Sequence, residues 1–234
     1  MRIGILQTGH VPDDMRAAHG DYGAMFRQLL DGHGFAFDVY SVIDGHFPAD
    51  IGAADGWLIT GSRHGAYEDR PWIARLEEFL RQAFQARIPI VGICFGHQIL
   101  AQALGGRVEK FDGGWSVGPA RYALSGKDAA VTMNAWHQDQ VVSRPEGAKV
   151  LASSDSCENA ILAYGDRALT IQAHPEIQPD FLRGLIEKRG RGVVPDALLD
   201  AASAKLETPL STAWAIGKMA DFFNQPRNRG GQDA

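Results

Sequence analysis

The N-terminal half of the chain alternates short apolar runs with longer amphipathic segments, and that alternation restricts the fold more than any other feature. "RIGILQ" (2–7), "FAFDVYSVI" (35–43), "GWLITG" (56–61) and "IPIVGIC" (88–94) have the length and β-branched content of strands. Between them, "DYGAMFRQLLDGHG" (21–34) carries Met25, Phe26, Leu29 and Leu30 at helical spacing and closes on glycines. "PWIARLEEFLRQAFQA" (71–86) starts on a proline and has an apolar stripe of Ile73, Leu76, Phe79, Leu80 and Phe84. "GHQILAQALGG" (96–106) is a further helix ended by glycines. Helices between short apolar strands require crossover connections, hence parallel pairing and a sheet covered on both faces.

From Arg107 to Ala173 the pattern changes. "ARYAL", "AAVTMN", "KVLASS", "NAILAYG" and "ALTIQA" read as short strands joined by turns, with no convincing helix between them. They are expected to add antiparallel strands to the same sheet or beside it. Three helical segments follow, at 179–190, 195–206 and 209–224. The expected organisation is one α/β domain over 1–189, a helical extension over 190–225 and a disordered tail over 226–234.

Composition narrows the setting. Charged residues make up 22% of the 234, the formal net charge is -5, and Lys and Arg are scattered, so neither nucleic acid nor an anionic membrane is an expected partner. No apolar stretch approaches a membrane span. The opening "MRIGILQTGH" lacks a cleavage site and reads as a first strand instead of a signal peptide. Two cysteines, Cys94 and Cys157, give neither a disulfide framework nor zinc spacing, which suits a reducing cytoplasmic compartment. No phosphate-loop or dinucleotide-binding glycine motif is present, and no cofactor and no metal are expected.

Cys94 stands in "GICFGHQ", a G-x-C-x-G turn between a predicted strand and a predicted helix. Such an elbow exposes its middle side chain at a sheet edge, and the helix N-terminus beneath it favours a thiolate. The N–H of the next residue, Phe95, is then placed to receive an oxyanion. Cys157 has no such context. His174, in "ALTIQAHPEI", follows an apolar strand and so belongs at the same strand-end edge, where sites of open α/β sheets gather. Glu176 lies two residues on, with Pro175 restraining the chain between them. Nucleophile, base and orienting carboxylate would be the three parts of a triad; the plainer alternatives at this point are a buried core thiol and a hydrogen-bonded strand-end histidine beside a solvated glutamate.

"GICFGHQ" followed downstream by "HPE" resembles the class I, triad-type glutamine amidotransferase family, over most of the chain to about Arg189. The resemblance implies a flavodoxin-like α/β fold, with Cys94 as nucleophile, His174 as base and acid, and Glu176 as orienter. It also implies an oxyanion loop at "LITGSRHGAYED", where Gly61 or Ser62 offers a main-chain N–H, although the family's second glycine and proline are missing. By the same resemblance Gln98, Trp115, Ser116 and His137 are candidate substrate-binding residues. Ser116 stands where many members carry an acidic residue. His137 and Asp139 form a His-x-Asp segment similar to one in the amidotransferase portion of GMP synthetase.

The implied reaction is hydrolysis of the γ-amide of glutamine to glutamate and ammonia through a γ-glutamyl thioester, with a separate synthetase subunit as ammonia acceptor. "LITGSRHGAYED" with "GICFGHQ" also resembles free-standing γ-glutamyl peptidases, which implies γ-glutamyl peptides as the alternative substrate. A third reading keeps the fold as a non-catalytic interaction module. The helical extension is expected to pack as a cap, with a homodimer contact or a partner-docking surface as alternatives.

Overall fold

A computed structural model describes residues 1–226, so part of the expected tail, 227–234, lies outside the described residues. The chain opens with β1 (Arg2–Gln7), α1 (Asp13–His19), α2 (Tyr22–Leu29), β2 (Ala36–Ser41), β3 (Gly56–Ile59), α3 (Pro71–Gln85), β4 (Ile90–Ile93) and α4 (Phe95–Ala103). Seven strands follow: β5 (Arg107–Lys110), β6 (Ser116–Leu124), β7 (Ala130–His137), β8 (Asp139–Ser143), β9 (Lys149–Ser154), β10 (Cys157–Tyr164) and β11 (Ala168–Ile171). The last helices are α5 (Pro179–Leu185), α6 (Asp196–Ser203) and α7 (Thr212–Asn224). A π-helical turn, Ile186–Gly190, continues α5.

Nine strands form one sheet in the order β2-β1-β3-β4-β11-β10-β9-β6-β7. The run from β2 to β11 is parallel, as the alternation of strands and helices requires. From β11 onward every pairing is antiparallel, so the second half of the chain extends the same sheet. This is the α/β, flavodoxin-like arrangement expected from the sequence. β5 and β8 pair as a separate two-stranded ribbon.

The central strands β3, β4 and β11 are buried along their whole length, which is why their sequences run apolar instead of alternating. Successive residues serve opposite faces. Ile3, Ile5, Leu58 and Val91 pack with Phe26 of α2 and with Met219, Phe222 and Phe223 of α7. Leu6, Trp57, Ile59 and Ile90 pack with Leu76 and Leu80 of α3 and with Leu100 of α4. Each large apolar side chain buried in this way contributes about 1.5–3 kcal/mol. The last helix thus shares one face of the sheet with α2. α6 joins a third cluster, in which Leu199 and Ala202 meet Phe181 and Leu182 of α5.

Three features were not expected from sequence. α1 has one buried residue, Met15, and seven residues are too few to show a periodicity. β5 buries only Val108 out of "RVEK". β8 follows β7 after a single residue and forms its own ribbon, which strand-like composition cannot separate from a continuation. Among the described residues no helix is long and apolar enough to cross a membrane.

Candidate active site

Three neighbouring strands, β3, β4 and β11, end side by side and deliver Gly61, Cys94 and His174 to one edge. Cys94 occupies the turn between β4 and α4 with φ 51° and ψ -103°, a conformation that L-residues rarely adopt. Its N–H donates to Ile171 O at 2.8 Å, and its carbonyl accepts from Gln98 N at 3.0 Å. Both flanking glycines are demanded by close approach. A Cβ on Gly92 would lie 2.4 Å from Gly96 O, and one on Gly96 would lie 2.5 Å from Ile59 O. The Phe95 N–H begins α4 and has no acceptor among the described residues.

His174 is anchored by its own backbone, whose N–H donates to Asn134 O at 2.8 Å. Its Nδ1 is 2.7 Å from Glu176 Oε1, and the Glu176 side chain is wholly buried. Nε2 is therefore the ring nitrogen left for the sulfur, and it has no other partner among the described residues. Burial alone disfavours a charged imidazole here. Glu176, and after it Cys94, outweigh burial and hold His174 well above its ordinary pKa. The ring and the thiol are held close to the same loop. A Cβ at Gly61 would sit 3.1 Å from His174 Cε1 and 3.8 Å from Cys94 Cβ.

The loop after β3 has a fixed orientation. Gly61 O accepts from Thr8 Oγ1 at 3.0 Å and lies 3.1 Å from Thr60 Oγ1. Thr8 follows β1, on the opposite side of β3 from Cys94. In a trans peptide the N–H points away from its carbonyl. The Ser62 N–H, which shares that peptide, is thus directed away from Thr8.

Cys94 sits where two cavities meet. The first, of about 360 Å³, is bordered by Gln98, Trp115, His137 and Asp139. The second, of about 560 Å³, is bordered by His174, Gly61, Tyr22 and Arg189. Ser62, Arg63 and Trp136 line both. Of the residues singled out in the sequence, Cys94, His174, Glu176, Gly61, Ser62 and the Phe95 amide converge. Gln98, Trp115 and His137 line the first cavity, whereas Ser116 lines neither, its hydroxyl lying 3.4 Å from Ser156 Oγ.

Gln98 also has a structural task, since its amide nitrogen donates to Asp139 O at 2.8 Å and to Gln172 Oε1 at 3.2 Å. Gln172 in turn donates to Cys94 Sγ at 3.7 Å. Gln172 does not stand out in the sequence; its one signal is a polar residue at the end of an apolar strand, two positions before His174. His137 is buried and pushed down to about 3 by burial and then by the charge of His174. Asp139 is raised, chiefly by burial, against the opposing pull of Tyr67 and Lys110.

A model of the class-I glutamine amidotransferase family matches residues 33–183, well over half the chain, and spans the elbow and the His-Pro-Glu segment. The chain belongs to that family. It is 33% identical over 187 residues to γ-glutamyl peptidase 4 of Arabidopsis thaliana, covering 74% of each chain. A putative glutamine amidotransferase-like protein of Schizosaccharomyces pombe is 29% identical over 94% of this chain and 98% of its own. Among solved structures, a glutamine amidotransferase from Methylobacillus flagellatus superposes with a TM-score of 0.76 at 23% identity, covering 100% of this chain and 98% of that one. At that identity the match supports the fold.

Proposed function

We propose that this family member hydrolyses γ-glutamyl amide bonds with Cys94 as nucleophile, His174 as proton carrier and Glu176 as its orienter. The observation that carries this reading is the convergence of a strained, elbow-borne cysteine with a buried His–Glu pair at 2.7 Å. Sγ attacks the γ-carbonyl, and the oxyanion is received by the N–H groups of Phe95 and Ser62. His174 gives its Nε2 proton to the departing nitrogen, and the C–N bond breaks to leave a γ-glutamyl thioester. Water then adds, His174 takes its proton, and the C–S bond breaks to release glutamate. The glutamyl chain fits the first cavity, where the Asp139 carboxylate faces its α-ammonium group and compensates for the neutral Ser116.

Glutamine is the smallest substrate of this kind, and ammonia from it would pass to a separate synthetase. Peptide substrates are favoured by one specific observation: the cavity on the His174 side is about 560 Å³, whereas ammonia needs about the 30 Å³ of a water molecule. The similarity to γ-glutamyl peptidases over three quarters of both chains supports the same choice. A free thiol nucleophile suits the cytoplasm. The test is steady-state hydrolysis of glutamine and of γ-glutamyl-cysteinyl-glycine, with release of glutamate measured directly. Wild type should turn over at least one of them and Cys94→Ala neither; equal turnover by Cys94→Ala would refute the reading.

A further inference from the structure

The second cavity has a charge pattern that the hydrolysis of an amide does not itself require. Three arginines border it: Arg16, Arg63 and Arg189. Arg16 is satisfied locally by Asp13 at 3.0 Å and by Val11 O at 3.0 Å. Arg189 is satisfied by Asp14 at 3.0 Å and by Lys188 O at 3.0 Å. Arg63 makes no ion pair and no side-chain hydrogen bond among the described residues, although it follows Gly61 and Ser62 directly and borders both cavities beside Cys94.

His174 decides which cavity faces the leaving group. It borders the second cavity and not the first, and the nitrogen that it protonates must depart on its side. In an amino-acid or peptide leaving group, the first residue's carbonyl carbon is two bonds from that nitrogen. When the leaving group is a single amino acid, its carboxylate is therefore held next to the scissile bond, at the boundary where Arg63 stands. The first cavity has its own cation for the glutamyl α-carboxylate, Lys110, which also makes no ion pair among the described residues.

We infer that Arg63 is a specificity-determining residue that binds the free α-carboxylate of an amino-acid leaving group, so that the preferred substrates are γ-glutamyl amino acids with an unblocked carboxyl end. This rests on the γ-glutamyl amide hydrolase reading above. The guanidinium is suited to the task, because its planar fork matches a carboxylate with two parallel N–H donors. One such charge-assisted interaction separates matched from unmatched substrates by about 10- to 150-fold.

The test compares γ-glutamyl-glycine with γ-glutamyl-glycinamide, which differ only in the terminal carboxylate, by kcat/KM for glutamate release. γ-Glutamyl-p-nitroanilide serves as a substrate that has no carboxylate on its leaving group. Wild type should prefer the acid over the amide by about 10-fold or more. Arg63→Gln should bring that ratio close to one, and Arg63→Lys should restore part of it. A wild-type ratio near one, or an Arg63→Gln enzyme that keeps the wild-type ratio, would overturn the assignment while leaving the hydrolase reading intact. Failure to release glutamate from all three compounds and from glutamine would sink the hydrolase reading, and the Arg63 assignment with it.

Discussion

Replacing Cys94 by glycine should leave a more stable protein than replacing it by alanine, which reverses the usual order. Both variants lack the thiol, so the lost sulfur contacts cancel in the comparison. What differs is Cβ. At φ 51° and ψ -103° a Cβ strains the backbone, and such positions cost about 1–3 kcal/mol. Glycine removes that strain but carries about 0.5–1 kcal/mol of extra chain entropy. The difference favours glycine by about 1 kcal/mol, equivalent to about 2–4 °C in Tm for a chain of this size. Guanidinium unfolding of the two variants side by side measures it, with equal m-values as the check that the unfolded states match. Both proteins should be inactive. An alanine variant as stable as the glycine variant, or more so, would show that the turn is relaxed and that the elbow geometry is wrong.

Other perturbations reach the rest of the site. Gly96→Ala forces a Cβ to within 2.5 Å of Ile59 O, and should destabilise by about 1–3 kcal/mol, read as a lowered denaturation midpoint. Glu176→Gln should cut kcat by about 10²- to 10⁴-fold by leaving His174 without its orienting carboxylate. The same variant loses the charge that raises His174. Because a raised imidazole stabilises below its unfolded pKa and that gain disappears as pH climbs through its folded pKa, wild-type stability should decline above about pH 6.5 more than that of Glu176→Gln. The opposite sign holds for His97 and His137, both buried and lowered to about 3. They stay neutral while the unfolded chain takes up protons, so each should remove about 1.4 kcal/mol per pH unit as pH falls from about 6.5 toward 3. Urea titrations of His137→Gln should show an acid slope shallower by one proton.

The parts of this fold that sequence conveys are those with a strong period or a forced turn. β3, β4 and α3 could be read because burial on both faces, or on one stripe, leaves no choice of residue type. Cys94 was visible because Gly92 and Gly96 are required by contacts of 2.4 and 2.5 Å, and glycine is the one residue that admits them. A strand end and a proline mark out where His174 and Glu176 sit, but it is the resemblance of "GICFGHQ" and "HPE" to the amidotransferase family that singles the pair out. What depends on distant contacts was not. The placement of α1 against α5 and the pairing of β5 with β8 join segments far apart in sequence. The side-by-side order of β3, β4 and β11 is likewise a property of the sheet. Gln172 and Arg63 gain meaning only from what surrounds them, a sulfur at 3.7 Å in one case and two cavities in the other.

Whether Cys94 is the nucleophile for a γ-glutamyl carbonyl can be read from intact-mass spectrometry. The protein is incubated with a glutamine analogue that carries a diazo-ketone in place of the γ-amide. One adduct per chain is expected, mapped to the peptide containing Cys94, absent from Cys94→Ala and suppressed by excess glutamine or γ-glutamyl peptide. An adduct on Cys157 instead, or none on either cysteine, would contradict the assignment.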